Sequence, residues 1–171
     1  VLATYNGNYN DTKSVSLSPK YTINFNTNGG AAVSSMTSNR TVTSWSLSGA
    51  GSLSSTTSNP TIFTFGAGDA TLTATYSTTG SAITLPSTSK TGHTFNYWCT
   101  DSALTTKAGT SGTANSSYTP SGASEAITLY AKFTVNNYTV STSSNPSAGG
   151  ATSGGGTYSY GTSVTVKAVP N

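Results

Sequence analysis

Two seven-residue segments of this chain follow nearly the same pattern. Residues 70–76 read Ala-Thr-Leu-Thr-Ala-Thr-Tyr, and residues 127–133 read Ile-Thr-Leu-Tyr-Ala-Lys-Phe. Each segment is preceded, at a similar spacing, by one of the two tryptophans of the chain, Trp45 and Trp98. Such internal self-similarity indicates a repeat protein, in which small units are built alike. The residues that we expect to anchor the two cores are Trp45, Trp98, Tyr76 and Phe133.

Apolar and polar residues alternate with a period of two in these segments, and the same is true of Tyr21, Ile23 and Phe25. This first run ends at Asn28-Gly29-Gly30, a typical turn sequence. No window has the 3.6-residue period of an amphipathic helix. The sequence therefore predicts a mainly β fold with almost no helix, made of tandem small β modules that are β-grasp-like or β-sandwich-like.

The repeats suggest where the modules begin and end. Tyr138-Thr-Val resembles the opening Tyr21-Thr-Ile, and Val164, Val166 and Ala168 alternate as on one face of a strand. We expect four segments: residues 1–20, the closing strand of a preceding module plus a linker; 21–77 and 78–134, two modules; and 135–171, the start of a third, incomplete module.

The first residues end in the same Ala-x-aromatic pattern as the closing strands. The predicted strand consists of Val1, Leu2, Ala3, Thr4 and Tyr5. Two interpretations follow: the chain is one window of a longer repeat protein, or it is a subunit whose residues 1–5 pair with region 138–169 of the next copy. The second arrangement does not close on itself and would form a filament.

The composition is that of a secreted or wall-exposed β protein. Charged residues make up 6% of the chain, whereas about a quarter is usual. Ser and Thr together exceed a third, and the 10 Tyr, 5 Phe and 2 Trp argue for packed cores and against disorder. The net charge of +3 is dispersed, so we expect no nucleic-acid partner.

There is also no apolar run long enough to span a membrane, and no signal peptide, so Val1 is interpreted as an internal start.

The segment Thr91–Lys107, with its Gly-His-Thr-Phe and Trp-Cys-Thr-Asp stretches, and the close at Ile127–Phe133 together resemble the Listeria-Bacteroides repeat, the B-repeat of internalin-type surface proteins. Tyr21–Gly30 is similar to the opening strand and turn of that family. The Trp45 module and the Tyr138 segment resemble its divergent variant. The departures from the family pattern are His93 for Tyr, Tyr97 for Gly, Cys99 for Tyr and Phe133 for Trp.

The resemblance implies a non-catalytic, β-grasp-like module strung between a cell envelope and a distal tip. A stalk, adhesin or fibre at the cell surface or in an extracellular filament is therefore expected. Its partners would be neighbouring repeats or copies of the same chain, and host or matrix glycans or proteins. Two alternatives remain open: a carbohydrate-binding or adhesive module that contacts its ligand directly, and an accessory region of a secreted enzyme.

Residues with catalytic or ligating side chains are few. The one histidine, His93, is interpreted as a substitute for a half-buried aromatic residue, and the one cysteine, Cys99, as a small buried hydrophobe. One cysteine allows neither an intrachain disulfide nor a multi-cysteine zinc site. The acids Asp11, Asp69, Asp101 and Glu125 have no calcium-loop spacing and are interpreted as turn residues. We expect no catalytic residue, no cofactor and no metal. An internal Lys–Asn isopeptide bond and glycosylation at the Asn-x-Ser/Thr sequences are two modifications that the sequence leaves open.

Overall fold

Strands dominate the regular structure, as the alternation predicts. The structure is a computed structural model that describes residues 2–3 and 11–171. Its strands are β1 (Leu2–Ala3), β2 (Thr12–Val15), β3 (Lys20–Asn26), β4 (Met36–Leu53), β5 (Thr61–Gly80), β6 (Ile83–Thr84), β7 (His93–Cys99), β8 (Ser117–Tyr118), β9 (Ala126–Val135), β10 (Asn137–Val140), β11 (Gly150–Ser153), β12 (Gly156–Ser159) and β13 (Lys167–Pro170). The helix in the described residues is one 3-10 turn, Ser147–Gly149. The expectation of a mainly β fold is confirmed.

Two compact units make up the structure, and each collects several segments of the chain. Unit 1 contains Ser34–Thr84 and Ser117–Thr128 together with the chain up to Asn24. Unit 2 contains Phe25–Val33, Leu85–Ser116 and Leu129–Asn171. These units are defined by packing, whereas the module boundaries at 77/78 and 134/135 were drawn from sequence similarity. Those boundaries stay a prediction.

A long antiparallel hairpin of β4 and β5 forms the centre of unit 1. β3 pairs with the beginning of β4, while β1 and β2 pair with different parts of β5. The pairing register of the hairpin shifts between Gly49 and Gly51. Gly49 has φ +102°, and a Cβ there would collide with the carbonyl oxygen of Asp69. Glycine is therefore required where the two strands approach most closely at this irregularity.

One buried apolar cluster of unit 1 is formed by residues of this hairpin. It consists of Val42, Trp45, Phe63, Ala70 and Leu72, while Tyr21 and Ile23 of β3 are buried in the same unit. Thr71, Thr73 and Thr75 alternate with the apolar residues of β5 and are exposed. This distribution is the one expected of an antiparallel sheet that buries one face and exposes the other.

Unit 2 is built around the antiparallel pair of β7 and β9. Its most buried side chains are Leu85, Trp98, Cys99, Ala108, Leu129 and Ala131. Phe25, at the end of β3, lies against Trp98 with its ring centroid 4.8 Å away. Two further ribbons, β10 with β12 and β11 with β13, complete the unit.

One predicted strand begins later than expected. Val164 and Val166 precede β13, which starts at Lys167, so they do not share a strand with Ala168. Val166 is 55% exposed. The alternating valines therefore do not lengthen β13 toward Val164. None of residues 161–171 is buried, so no packed layer favours an extended strand there.

Candidate functional site

His93, the one histidine of the sequence, lies at the start of β7. Its ring nitrogen Nδ1 lies 2.9 Å from the carbonyl oxygen of Thr91. The imidazole also makes edge contacts with the rings of Phe133 and Tyr160, at centroid distances of 6.3 and 6.2 Å. His93 is half-buried and packs against aromatic rings, at the position where the family pattern has an aromatic residue.

Cys99 is a free, completely buried thiol at the end of β7. Burial raises its pKa, and the neighbouring carboxylate of Asp101 raises it further. Both effects disfavour the thiolate, which is the nucleophilic form. Lys132 and Lys107 act in the opposite direction but more weakly, so the buried Cys99 has neither the accessibility nor the lowered pKa of a catalytic cysteine.

Asp101 organises the turn that follows β7. Its carboxylate accepts hydrogen bonds from the backbone N–H of Thr106 at 2.7 Å and of Thr105 at 3.1 Å. The Thr105 hydroxyl donates a further bond at 3.1 Å. These bonds lower the pKa of Asp101, those from the two backbone N–H groups most strongly. The carboxylate serves the turn, as the sequence predicts for an isolated Asp.

No group of three or more His, Cys, Asp or Glu side chains in the described residues is close enough to hold a metal ion. Two open clefts of about 360 and 460 Å³ flank the β11–β13 ribbon, and Ser, Thr, Pro and Val residues make up most of their walls. A third cleft, of about 300 Å³, is lined in part by Lys20, Tyr76 and Glu125. No helix of the described chain is long and apolar enough to cross a membrane.

The two tryptophans occupy matching positions in two antiparallel strand pairs, β4 with β5 and β7 with β9. Trp45 lies directly across from Ala74 of β5, and Trp98 lies across from Ala131 of β9. Ala74 and Ala131 are the equivalent alanines of the two similar heptapeptides. The indoles are 2% and 0% exposed, so neither can serve as a sugar-stacking platform. The small alanine leaves room for the large ring on the neighbouring strand.

The indole N–H groups, however, reach their partners in opposite chain directions. Trp45 Nε1 donates to the carbonyl of Ser58, which follows it, at 3.2 Å. Trp98 Nε1 donates to the carbonyl of Pro86, which precedes it, at 2.9 Å. The strand register is thus repeated in the two hairpins, while the loop that closes over each ring is not.

The two closing aromatics, Tyr76 and Phe133, are half-buried. Phe133 packs against Phe95 with its centroid 5.7 Å away. Tyr76 instead covers the guanidinium of Arg40, which lies between the Tyr76 and Tyr21 rings at 4.8 and 4.9 Å. Arg40 Nε also donates to the Ser77 carbonyl at 2.7 Å. The energetic role of the four expected anchors stays a prediction.

The sequence does not indicate the contacts that Asn28 and Tyr97 make. The amide of Asn28, in the Asn-Gly-Gly turn, donates to the carbonyl of Ala131 at 2.7 Å and so ties the opening turn to the closing strand. Tyr97, a departure from the family pattern, lies beneath the ammonium groups of Lys107 and Lys132 at 4.6 and 5.5 Å. A left-handed residue, Asn28 with φ 48°, was foreseeable from the turn sequence, but its distant partner was not.

The expected inter-subunit strand can be placed only in part. Leu2 and Ala3 pair with Thr71 and Ala70 of the same chain. Val1, Thr4 and Tyr5 lie outside the described residues. Pairing with a second copy therefore stays a prediction, and for Leu2 and Ala3 it would have to use the other edge of the strand.

Comparison with known protein families gives two matches. A model described as the Listeria-Bacteroides repeat domain matches residues 21–51 and 62–132. A model described as the divergent InlB B-repeat domain matches residues 138–171. No curated protein and no solved structure matches the chain.

We expect the substitution Trp98→Ala to lower the free energy of unfolding by about 3–5 kcal/mol, because it removes a buried indole and leaves a cavity. Trp45→Ala should cost a similar amount. Chemical denaturation followed by circular dichroism measures both. Ile62→Thr is the control, since Ile62 is 48% exposed and should change stability by less than about 0.5 kcal/mol. A Trp98→Ala variant as stable as the parent would rule out the anchor role.

Cys99 should resist iodoacetamide at neutral pH in the folded chain and react fully in denaturant, because its thiol is buried and its pKa is raised. Mass spectrometry of the intact chain counts the added groups. Complete alkylation of a chain that keeps its native circular dichroism would contradict the prediction.

The turn at Asp101 should loosen in acid. Because the folded-state pKa of Asp101 is lowered, its contribution to stability is present above the pKa of the unfolded chain and disappears as the pH falls through the folded value. Amide exchange of Thr105 and Thr106, followed by NMR over this pH range, should accelerate in the parent and be independent of pH in Asp101→Asn once intrinsic exchange is corrected. Equal pH dependence in both proteins would refute this assignment.

Proposed function

Since the chain belongs to the Listeria-Bacteroides repeat family, we propose that it acts as a non-catalytic spacer in an extracellular, cell-surface protein of a bacterium. Repeats of this type occur in bacterial surface proteins. The observation that carries the proposal is that one strand register, tryptophan across from alanine, recurs in two successive antiparallel strand pairs. A segment that matches a divergent repeat follows them. Repetition of a structural unit extends a chain without requiring a site on each copy.

The side chains that an enzyme would use support the same conclusion. Cys99 is buried with a raised pKa, His93 is held among aromatic rings, and Asp101 holds its own turn. Each therefore has a structural task in the described chain. The exposed face of β5 is lined by threonine hydroxyls, which keep the sheet surface soluble with few charges.

Direct ligand binding is the alternative that a spacer must be distinguished from. A carbohydrate-binding module stacks sugars on exposed aromatic faces, yet both indoles are buried. Tyr138 and Tyr160 are exposed, but their rings meet at 62° and so do not form a flat platform. A spacer is consequently the better account of the aromatic residues.

The spacer proposal predicts no saturable binding of the purified chain to glycan arrays or matrix proteins. It also predicts that, in a surface protein carrying these repeats, an unrelated folded β domain of similar length can replace residues 11–171 without loss of distal binding. A flexible Gly/Ser linker of equal residue number is the control for mere tethering. Saturable binding that Trp45→Ala or Trp98→Ala leaves intact, and that Tyr138→Ala removes, would favour the adhesive alternative.

Assembly of copies is a second candidate function. Large apolar side chains are exposed near the end of the chain, with Val166 at 55% and Val169 at 61%. Exposed apolar strands are templates for another strand. Under this candidate the mass measured by sedimentation rises with concentration, and Val169→Lys, which places a charge on the exposed apolar strand, suppresses the rise. A single monomer mass at every concentration would exclude assembly and leave the spacer proposal standing.

A further inference from the structure

The segment that matches the divergent repeat, residues 138–171, contributes no buried side chain to the described structure. From Asn136 to Asn171 no side chain is buried. Tyr138, Val166 and Val169 are each more than half exposed, at 53%, 55% and 61%. An isolated two-stranded ribbon is marginally stable at best in water. Something outside this segment must therefore supply part of the free energy that keeps its ribbons folded.

The contact that can do so lies at the turn before β7. The backbone N–H of Asn136 donates to the carbonyl of Gly92 at 2.8 Å, and the N–H of Tyr160 donates to the carbonyl of Asn136 at 2.8 Å. These two bonds join the turn, the linker and the end of β12 in series. They bring the Tyr160 ring directly over Gly92.

Gly92 leaves the space that this ring fills. Its φ is +68°, and a Cβ built on it would fall among the ring atoms of Tyr160. The residue thus has two reasons to be glycine: the left-handed backbone and the close approach of an aromatic side chain. His93, beside it, meets the same ring edge-on at a centroid distance of 6.2 Å.

Tyr160 is also one member of a continuous series of ring contacts within unit 2. Successive centroids in the series are between 4.8 and 6.4 Å apart. The members, from the core outward, are Phe25, Trp98, Phe95, Phe133, His93, Tyr160 and Tyr138. The exposed Tyr138 is thereby connected, ring by ring, with the buried Trp98.

We propose that Gly92 and His93 form a docking socket for the divergent repeat, with Tyr160 as the group that enters it, and that residues 137–160 fold only when docked there. The partner of this surface is an aromatic hairpin of the adjacent repeat. This inference rests on the spacer proposal and deepens it. A docked repeat extends the folded part of the spacer, whereas an undocked repeat would be a flexible linker.

Hydrogen exchange measured by mass spectrometry on the full chain tests the docking. In the parent, peptides covering β10 and β12 should be protected. In Tyr160→Ala their exchange should accelerate by at least about tenfold, while β7 and β9 keep their protection. Tyr160→Phe retains the ring and should behave as the parent does.

Gly92→Ala blocks the docking contact without changing Tyr160. If Tyr160 docks on Gly92, this variant also loses protection in β10 and β12. The double variant Gly92→Ala with Tyr160→Ala should then exchange no faster in β10 and β12 than either single variant, because both changes break the same contact. Gly122→Ala is the matched control: Gly122 has φ +119°, but its Cβ would meet no atom within 4 Å. It should leave the exchange of β10 and β12 unchanged.

Three results would overturn the socket. These are full protection of β10 and β12 in Gly92→Ala, additive effects in the double variant, or loss of protection in β7 and β9 together with β10 and β12 in Tyr160→Ala. None of them bears on whether the chain binds a ligand. A failure of docking is therefore distinguishable from a failure of the spacer proposal, which the binding and replacement experiments address.

Discussion

The cross-strand pair of a tryptophan and an alanine is the contact on which each hairpin depends. In unit 2 the small Ala131 is paired across the strands with Trp98, whose indole is fully buried and donates its N–H to the Pro86 carbonyl. A buried indole contributes a large apolar area, but it needs a hydrogen-bond acceptor for its one polar atom. The strand register and the covering loop must therefore be correct together, since either alone would leave the ring exposed or its N–H unpaired.

Much of the fold was predictable because its signals are local. The alternation along β3, β5 and β9, the Asn28-Gly29 turn and the two similar heptapeptides each lie within a few residues of one another. The expected resemblance to the Listeria-Bacteroides repeat is confirmed by the family match. The burial of Trp45 and Trp98 also agrees with the pattern, since large aromatics beside an alternating strand have few other places to pack.

The contacts that escaped prediction join residues far apart in sequence. Nothing in the composition or period of the sequence indicates that Asn28 bonds to Ala131, or that Arg40 lies between two tyrosine rings. The sequence also does not indicate that the acceptor of the Trp45 indole follows it in the chain while that of Trp98 precedes it. The heptapeptides that reveal the repeat do not include the loops that carry these acceptors. The pairing of Gly92 with Tyr160 belongs to the same class. A glycine before an aromatic residue looks like a turn, and its second role depends on a residue of the next repeat.

Few charges and a single cysteine leave this chain without the ion-pair networks or disulfides that stabilise many small extracellular modules. The ion pair in the described part of the chain, Arg40 with Glu125, spans 3.8 Å and has a 70% exposed carboxylate side chain, so it contributes little. Burial of aromatic and aliphatic side chains, among them Trp98 and Leu129, stabilises the chain instead, and an aromatic ring can pack against residues of a neighbouring repeat. In a repeat protein stability is the sum of unit and interface terms. Because residues 136–171 contain no buried side chain in the described structure, the proposed contact of Tyr160 with Gly92 and His93 would be an interface term of this kind.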